Sequence, residues 1–140
     1  REMTAIYRAS PNGKVASNLR GRIIEALKKY KDGKKLKRLK TQSLLDCSFE
    51  ELVSHLESNF IEEMSWDNYG EWELDHIRPC ASFNLVDEEQ QKVCFNWRNL
   101  CPLWKKDNRS KCASYKKNDE IKWAKIMIDL GFKGDLFLKY

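Results

Sequence analysis

Extended character is confined to two short stretches of this chain, and that limits its fold more than any other feature does. Trp72, Leu74 and Ile77 lead as a short strand to Pro79, and the extended character resumes over Asn99–Trp104 with Pro102 inside it. Proline offers no N–H to a ladder, so the second stretch reads as an edge strand or an irregular segment. Elsewhere the apolar spacing is helical. The expected fold class is α+β, a small sheet element surrounded by several helices.

The helical segments carry their own punctuation. Asn12-Gly13 is a turn signal, after which Leu19, Ile23, Ala26, Leu27 and Tyr30 fall on one face until Asp32-Gly33 ends the pattern. Lys34 to Lys40 has only Leu36 and Leu39 to bury and reads as a short turn of helix or a linker. Ser48 and Glu51 form a capping box for a second helix, with Phe49, Leu52, Val53, Leu56 and Phe60 as its stripe. His55 on that helix reads as a packing or surface residue, because no acidic or sulfur partner lies one turn away. Trp66–Gly70 reads as a turn. Asp87 with Gln90 opens a third helix ending near Asn96, and Asp107-Asn108 caps another through Tyr115. A final helix from Asp119 to Leu130 stops at Gly131 and is expected to pack through Ile121, Ala124, Met127 and Ile128.

Charge divides the chain unevenly. The 140 residues carry a net charge of +5, yet Lys14–Lys40 holds eleven basic residues against only Glu25 and Asp32. The reading is a basic helical N-terminal arm over residues 1–40, followed by a domain over 41–140. Such an arm suits a polyanion, since phosphate contacts release counterions; Arg20, Arg22, Lys28 and Lys29 are its candidate contacts. A solvated helix face is the plainer account of the same charges. No apolar run is long enough to cross a bilayer and no signal-peptide pattern opens the sequence. The expected setting is therefore soluble and cytoplasmic, within a host cell if the source is a phage. The start at Arg1 reads as a processed form or a piece of something longer. Cys47, Cys80, Cys94, Cys101 and Cys112 contain no Cys-x-x-Cys pair, so reduced buried thiols are expected. Convergence of Cys80, Cys94, Cys101 and Cys112 on a zinc ion stays open but is not favoured.

Asp75-His76 is unremarkable by itself, because neighbouring side chains of a strand point to opposite faces. Its surroundings give it chemical interest. Phosphodiester cleavage needs a base for the attacking water and a cation near the phosphoryl and leaving oxygens. Imidazole suits the first task near neutral pH. A carboxylate and an amide oxygen suit magnesium, which keeps several of its own waters.

The segments Trp72-Glu73-Leu74-Asp75-His76-Ile77-Arg78-Pro79, Asn96-Trp97-Arg98-Asn99-Leu100-Cys101-Pro102-Leu103-Trp104 and Asp107-Asn108-Arg109-Ser110-Lys111 closely resemble the HNH endonucleases. The likeness is to the phage and mobile-element branch whose final His is replaced by Asn, and it covers about residues 70 to 115. It implies a ββα-metal core of two antiparallel strands and a helix. His76 would be the general base, Asp75 and Asn108 the metal ligands, and Asn99 the brace of the hairpin loop. Arg78, Arg109 and Lys111 would be further DNA contacts. The implied cofactor is Mg2+, or Mn2+, with no small-molecule cofactor. The paired cysteines that hold a structural zinc in many members are absent, so no structural zinc is expected. Trp72, Phe83, Leu100, Leu103 and Trp104 are the candidates to hold the core instead.

The resulting expectation is a nuclease that hydrolyses double-stranded DNA to 5′-phosphate and 3′-hydroxyl ends. One site cuts one strand, so a monomer nicks and a dimer would be needed for a concerted break. Two alternatives stay open at this level. One is a nucleic-acid-binding module that keeps the fold without cutting, although a carboxylate facing phosphates argues against it. The other is a nuclease acting on RNA, since basic and aromatic residues serve either polymer.

Overall fold

The computed structural model describes residues 9–28, 40–107 and 115–140. Helix α1 spans Pro11–Lys28 and starts at a proline, whose missing N–H is harmless in a first turn. The Asn12-Gly13 pair lies inside this helix and not in a turn before it. Ser10 explains the difference: its hydroxyl accepts a hydrogen bond from the Gly13 amide at 3.2 Å, satisfying one donor of the first turn. Val15, Ala16, Leu19, Ile23 and Leu27 of α1 are all buried. The segment expected as a basic arm therefore contributes four of these residues, Val15, Leu19, Ile23 and Leu27, to the main core cluster. Its expected end at Asp32-Gly33 lies outside the described residues.

Helix α2, Thr41–Leu45, buries Leu44 and Leu45 and closes at Asp46, which takes a left-handed conformation with φ 62°. Helix α3, Phe49–Ser58, begins with the anticipated capping box: the Glu51 amide donates to Ser48 Oγ at 3.0 Å and the Ser48 amide to Glu51 Oε1 at 3.2 Å. Its Leu52, Val53 and Leu56 are buried. His55 is a packing histidine, Nε2 lying 2.8 Å from the Leu100 carbonyl and the ring edge-on to Trp97. Burial lowers its pKa, partly offset by the bond to Leu100.

A turn through Trp66–Asn68 leads to Gly70, whose φ of 115° suits glycine, and then to strand β1, Trp72–His76. β1 pairs antiparallel with β2, Leu100–Trp104, in the register Trp72↔Trp104, Leu74↔Pro102, Asp75↔Cys101 and His76↔Leu100. A two-stranded sheet has only edge strands, which is where Pro102 is tolerated. Trp72, Phe83 and Leu100 are buried as expected, whereas Leu103 and Trp104 are partly exposed. Between the strands, Asp87 caps helix α4, Glu88–Cys94, and a single 3-10 turn, Trp97–Asn99, returns the chain to β2.

Helix α5, Lys117–Asp129, buries Glu120, Trp123 and Met127. Ile121 and Ile128, expected against the body, are instead 58% and 63% exposed. The helix carries two apolar stripes, and the one with Trp123 faces inward because it buries the larger ring and gives the indole N–H a partner. Gly131 ends the chain's last helix with φ 88°, and Phe132, Leu136 and Phe137 of the following tail pack on the core. The protein is α+β: among the described residues, helices surround one two-stranded antiparallel sheet.

Candidate functional site

β1 delivers Asp75 and His76 to its C-terminal end. Alternation puts His76 on the face of Trp72 and Leu74, and Asp75 on the face of Glu73. Both are nearly covered, Asp75 being 7% and His76 5% exposed. The ladder continues one step further, with the Ile77 amide donating to the Asn99 carbonyl at 2.8 Å.

Asn99 holds the loop that follows. Its side chain is fully buried; Oδ1 accepts from the Arg78 amide at 2.8 Å, and Nδ2 donates to the Arg78 carbonyl at 3.1 Å. Nδ2 also donates to the Cys94 carbonyl and Oδ1 also accepts from Trp123 Nε1, both at 2.8 Å. One amide thus clamps both backbone groups of a residue two positions after His76 and links them to α4 and α5.

Arg78 corrects a reading made from sequence. It is 1% exposed and not a surface cation, so it is in no position to meet DNA phosphates. Its guanidinium donates to the carbonyls of Ser82, Leu136 and Phe137 and to Ser82 Oγ, and it lies over the rings of Phe83 and Trp123. Glu120 faces it at 3.8 Å. Burial pushes the Glu120 carboxyl up. The amides of Lys139 and Tyr140 and the Arg78 cation outweigh that and leave it below its ordinary pKa.

The other candidate cations are dispersed. Arg22 pairs with Glu73 at 2.9 Å, tying α1 to β1, and Lys105 approaches the same carboxylate at 3.7 Å. Arg20 is exposed, with its guanidinium 5.8 Å from the Phe49 ring centre. Lys28 closes α1. Lys29, Asn108, Arg109, Lys111 and Cys112 lie outside the described residues.

The structure also gathers two cysteines that the sequence left as reduced thiols, with a shared zinc site open but not favoured. Cys80 Sγ lies 3.6 Å from His76 Nε2 and 3.8 Å from Nδ1, and the Cys94 thiol donates to Cys80 Sγ at 3.5 Å. The Phe95 ring covers His76 edge-on at 5.1 Å. The bond from Cys94 lowers the Cys80 pKa despite its burial, helped by the neighbouring imidazole, while burial drives Cys94 up. A signal was present in the sequence: Cys80 stands four residues after His76, and Cys94 falls within the expected third helix. The spacing has no standard metal-ligand form, so only packing reveals the cluster.

Two uncharacterized proteins of Acanthamoeba polyphaga mimivirus are similar to this chain. One is 38% identical over 118 residues, 84% of this chain and 50% of that protein. The other is 36% identical over 98 residues, 69% of this chain and 41% of that protein. The chain thus spans half or less of the length of each. No family model matches it, and no solved structure does. No helix among the described residues is long and apolar enough to cross a membrane.

Proposed function

We propose that this chain is a metal-dependent endonuclease of the HNH type that nicks double-stranded DNA. The observation that supports it best is the Asn99 clamp on Arg78, which restrains the backbone immediately after His76 as a bracing asparagine must. The donor chemistry also fits. Asp75 offers a hard carboxylate oxygen at the end of β1, the type magnesium prefers, and Asn108 would add an amide oxygen. Held there, Mg2+ would supply positive charge to the phosphoryl oxygens and the departing O3′.

The chain's own residues carry the remaining work. His76 accepts a proton from the attacking water as its oxygen bonds to phosphorus. The bond from phosphorus to O3′ breaks, leaving a 5′-phosphate and a 3′-hydroxyl. Asn99 keeps the imidazole in position through the loop backbone, so less reorganisation is needed at the moment of attack. The exposed Arg20 would contribute affinity through the DNA backbone without reading sequence.

The test is conversion of supercoiled plasmid to open circle with magnesium, with EDTA, and with His76→Ala. The expected result is magnesium-dependent nicking that EDTA abolishes and His76→Ala slows by about 10²–10⁴-fold, the usual contribution of a general base. Binding without cleavage in magnesium or manganese would replace the enzyme with a binding module. Faster cleavage of matched RNA would redirect the substrate assignment.

A further inference from the structure

We propose that His76, Cys80 and Cys94 form a binding site for a thiophilic divalent cation of the zinc class, distinct in ligand chemistry from the oxygen donors at Asp75. Three separate elements supply the ligands. His76 ends β1, Cys80 opens the 3-10 turn after Pro79, and Cys94 ends α4. One ligand atom from each lies within 4.8 Å of the other two.

Two of the three ligand separations have the lengths of tetrahedral metal-site edges. With bonds of about 2.3 Å to sulfur and about 2.05 Å to nitrogen, a tetrahedral zinc has S···S edges near 3.8 Å and N···S edges near 3.6 Å. The observed Cys80–Cys94 and His76–Cys80 separations are 3.5 Å and 3.6 Å. The third edge lies within 4.8 Å; Cys80 Sγ is also 3.8 Å from Nδ1 and so sits over the imidazole face, and the ring must turn to aim a lone pair at the cation. Asn99 joins the Arg78 and Cys94 carbonyls and so restrains the backbone on two sides of the cluster.

Imidazole with two thiolates selects zinc, cobalt or cadmium over magnesium. Three protein ligands leave a fourth position for water or another donor. Cys101 stands across the hairpin from Asp75 and takes no part. A cation bound here occupies the His76 nitrogen that would otherwise accept a proton. That consequence, unlike the site itself, rests on the nuclease reading: zinc would switch off a magnesium-dependent enzyme.

Cobalt(II) titration of the reduced full chain tests the site, with circular dichroism recorded on every variant. The expected result is a near-ultraviolet sulfur-to-cobalt band that saturates at one equivalent, yields to zinc and survives excess magnesium. Cys80→Ser and His76→Ala should each weaken binding by more than about tenfold, since even outer partners of ligands are worth that much. Cys101→Ser should keep the band. A folded wild-type chain that gives no band overturns the proposal. So does a band that outlasts Cys80→Ser and His76→Ala but vanishes when Cys47, Cys101 or Cys112 is replaced. Cys80 is partly exposed, so its variant remains readable should Cys94→Ser fail to fold. No nucleic acid enters the measurement. A silent plasmid assay therefore leaves a cobalt result standing, and a missing band leaves the nuclease reading standing.

Discussion

On one side of the loop after β1, Asn99 makes four hydrogen bonds of 2.8–3.1 Å and Arg78 gives its guanidinium to three carbonyls and a hydroxyl. On the other side, His76, Cys80 and Cys94 meet through sulfur contacts of 3.5–3.8 Å. The first cluster is made of strong, directional bonds between buried groups, and breaking any one strands a partner without water. Sulfur is a weak donor and acceptor, so the second can be remade around a proton or a cation at little structural cost. The difference teaches a division of labour within one loop: a satisfied polar network fixes the backbone, and the sulfur contacts beside it remain weak and adjustable.

The largest break in that comparison should come from Asn99→Ala. It strips partners from the Arg78 amide and carbonyl, the Cys94 carbonyl and the Trp123 indole. At about 1–3 kcal/mol for each buried group left unpaired, the loss should reach about 4 kcal/mol or more in urea unfolding. Nicking should fall with it, because the brace serves both ends.

Next comes Arg78→Met, which leaves Glu120 without its facing cation; about 3 kcal/mol is expected, the usual cost of breaking a buried pair. The same network predicts an acid limb. Because the folded-state pKa of Glu120 lies below its ordinary 4.5, its contribution is fully present above that pH and disappears as the pH falls through the folded value. Unfolding midpoints measured from pH 6 downward should therefore drop more steeply in wild type than in Glu120→Gln. Parallel curves would show that Glu120 is not part of the network's stability.

His76→Ala should lie at the opposite pole, losing nicking while costing only about 1–2 kcal/mol of stability, the range of an ordinary point change. A loss as large as that of Asn99→Ala would erase the distinction between the two clusters. The smallest effect belongs to Arg22→Ala. Its pair with Glu73 is partly solvated, with side chains 28% and 25% exposed. A change of about 0–1 kcal/mol is expected in the same unfolding assay.

Much of the fold was legible because its signals are local. The Ser48–Glu51 box, the Asp87 cap, the Gly70 turn and the two short strands depend on residues within a few positions of one another. The candidate site was legible in part: Asp75, His76 and Asn99 were recognisable from the order of a motif. Arg78 was misread because a cation beside that motif resembles a phosphate contact. Its burial is decided by the C-terminal tail, whose Leu136 and Phe137 carbonyls it meets 58 and 59 residues away. The inward face of α5 was read only in part for a similar reason: Ala124 and Met127 pack as expected, but Trp123 takes the place of Ile121 and Ile128 because Asn99 supplies the partner its indole needs.

The sequence by itself therefore determined which segments become helix or strand, the alternation of β1 and the reactive residue types on offer, since caps, turns and periodicity act over single turns of chain. Only the tertiary structure decided which polar groups are buried and which reactive side chains meet. Cys80 and Cys94 are fourteen residues apart and join His76 because a helix returns against the hairpin. Burial and convergence belong to packing between distant segments, and no local pattern of residues encodes them.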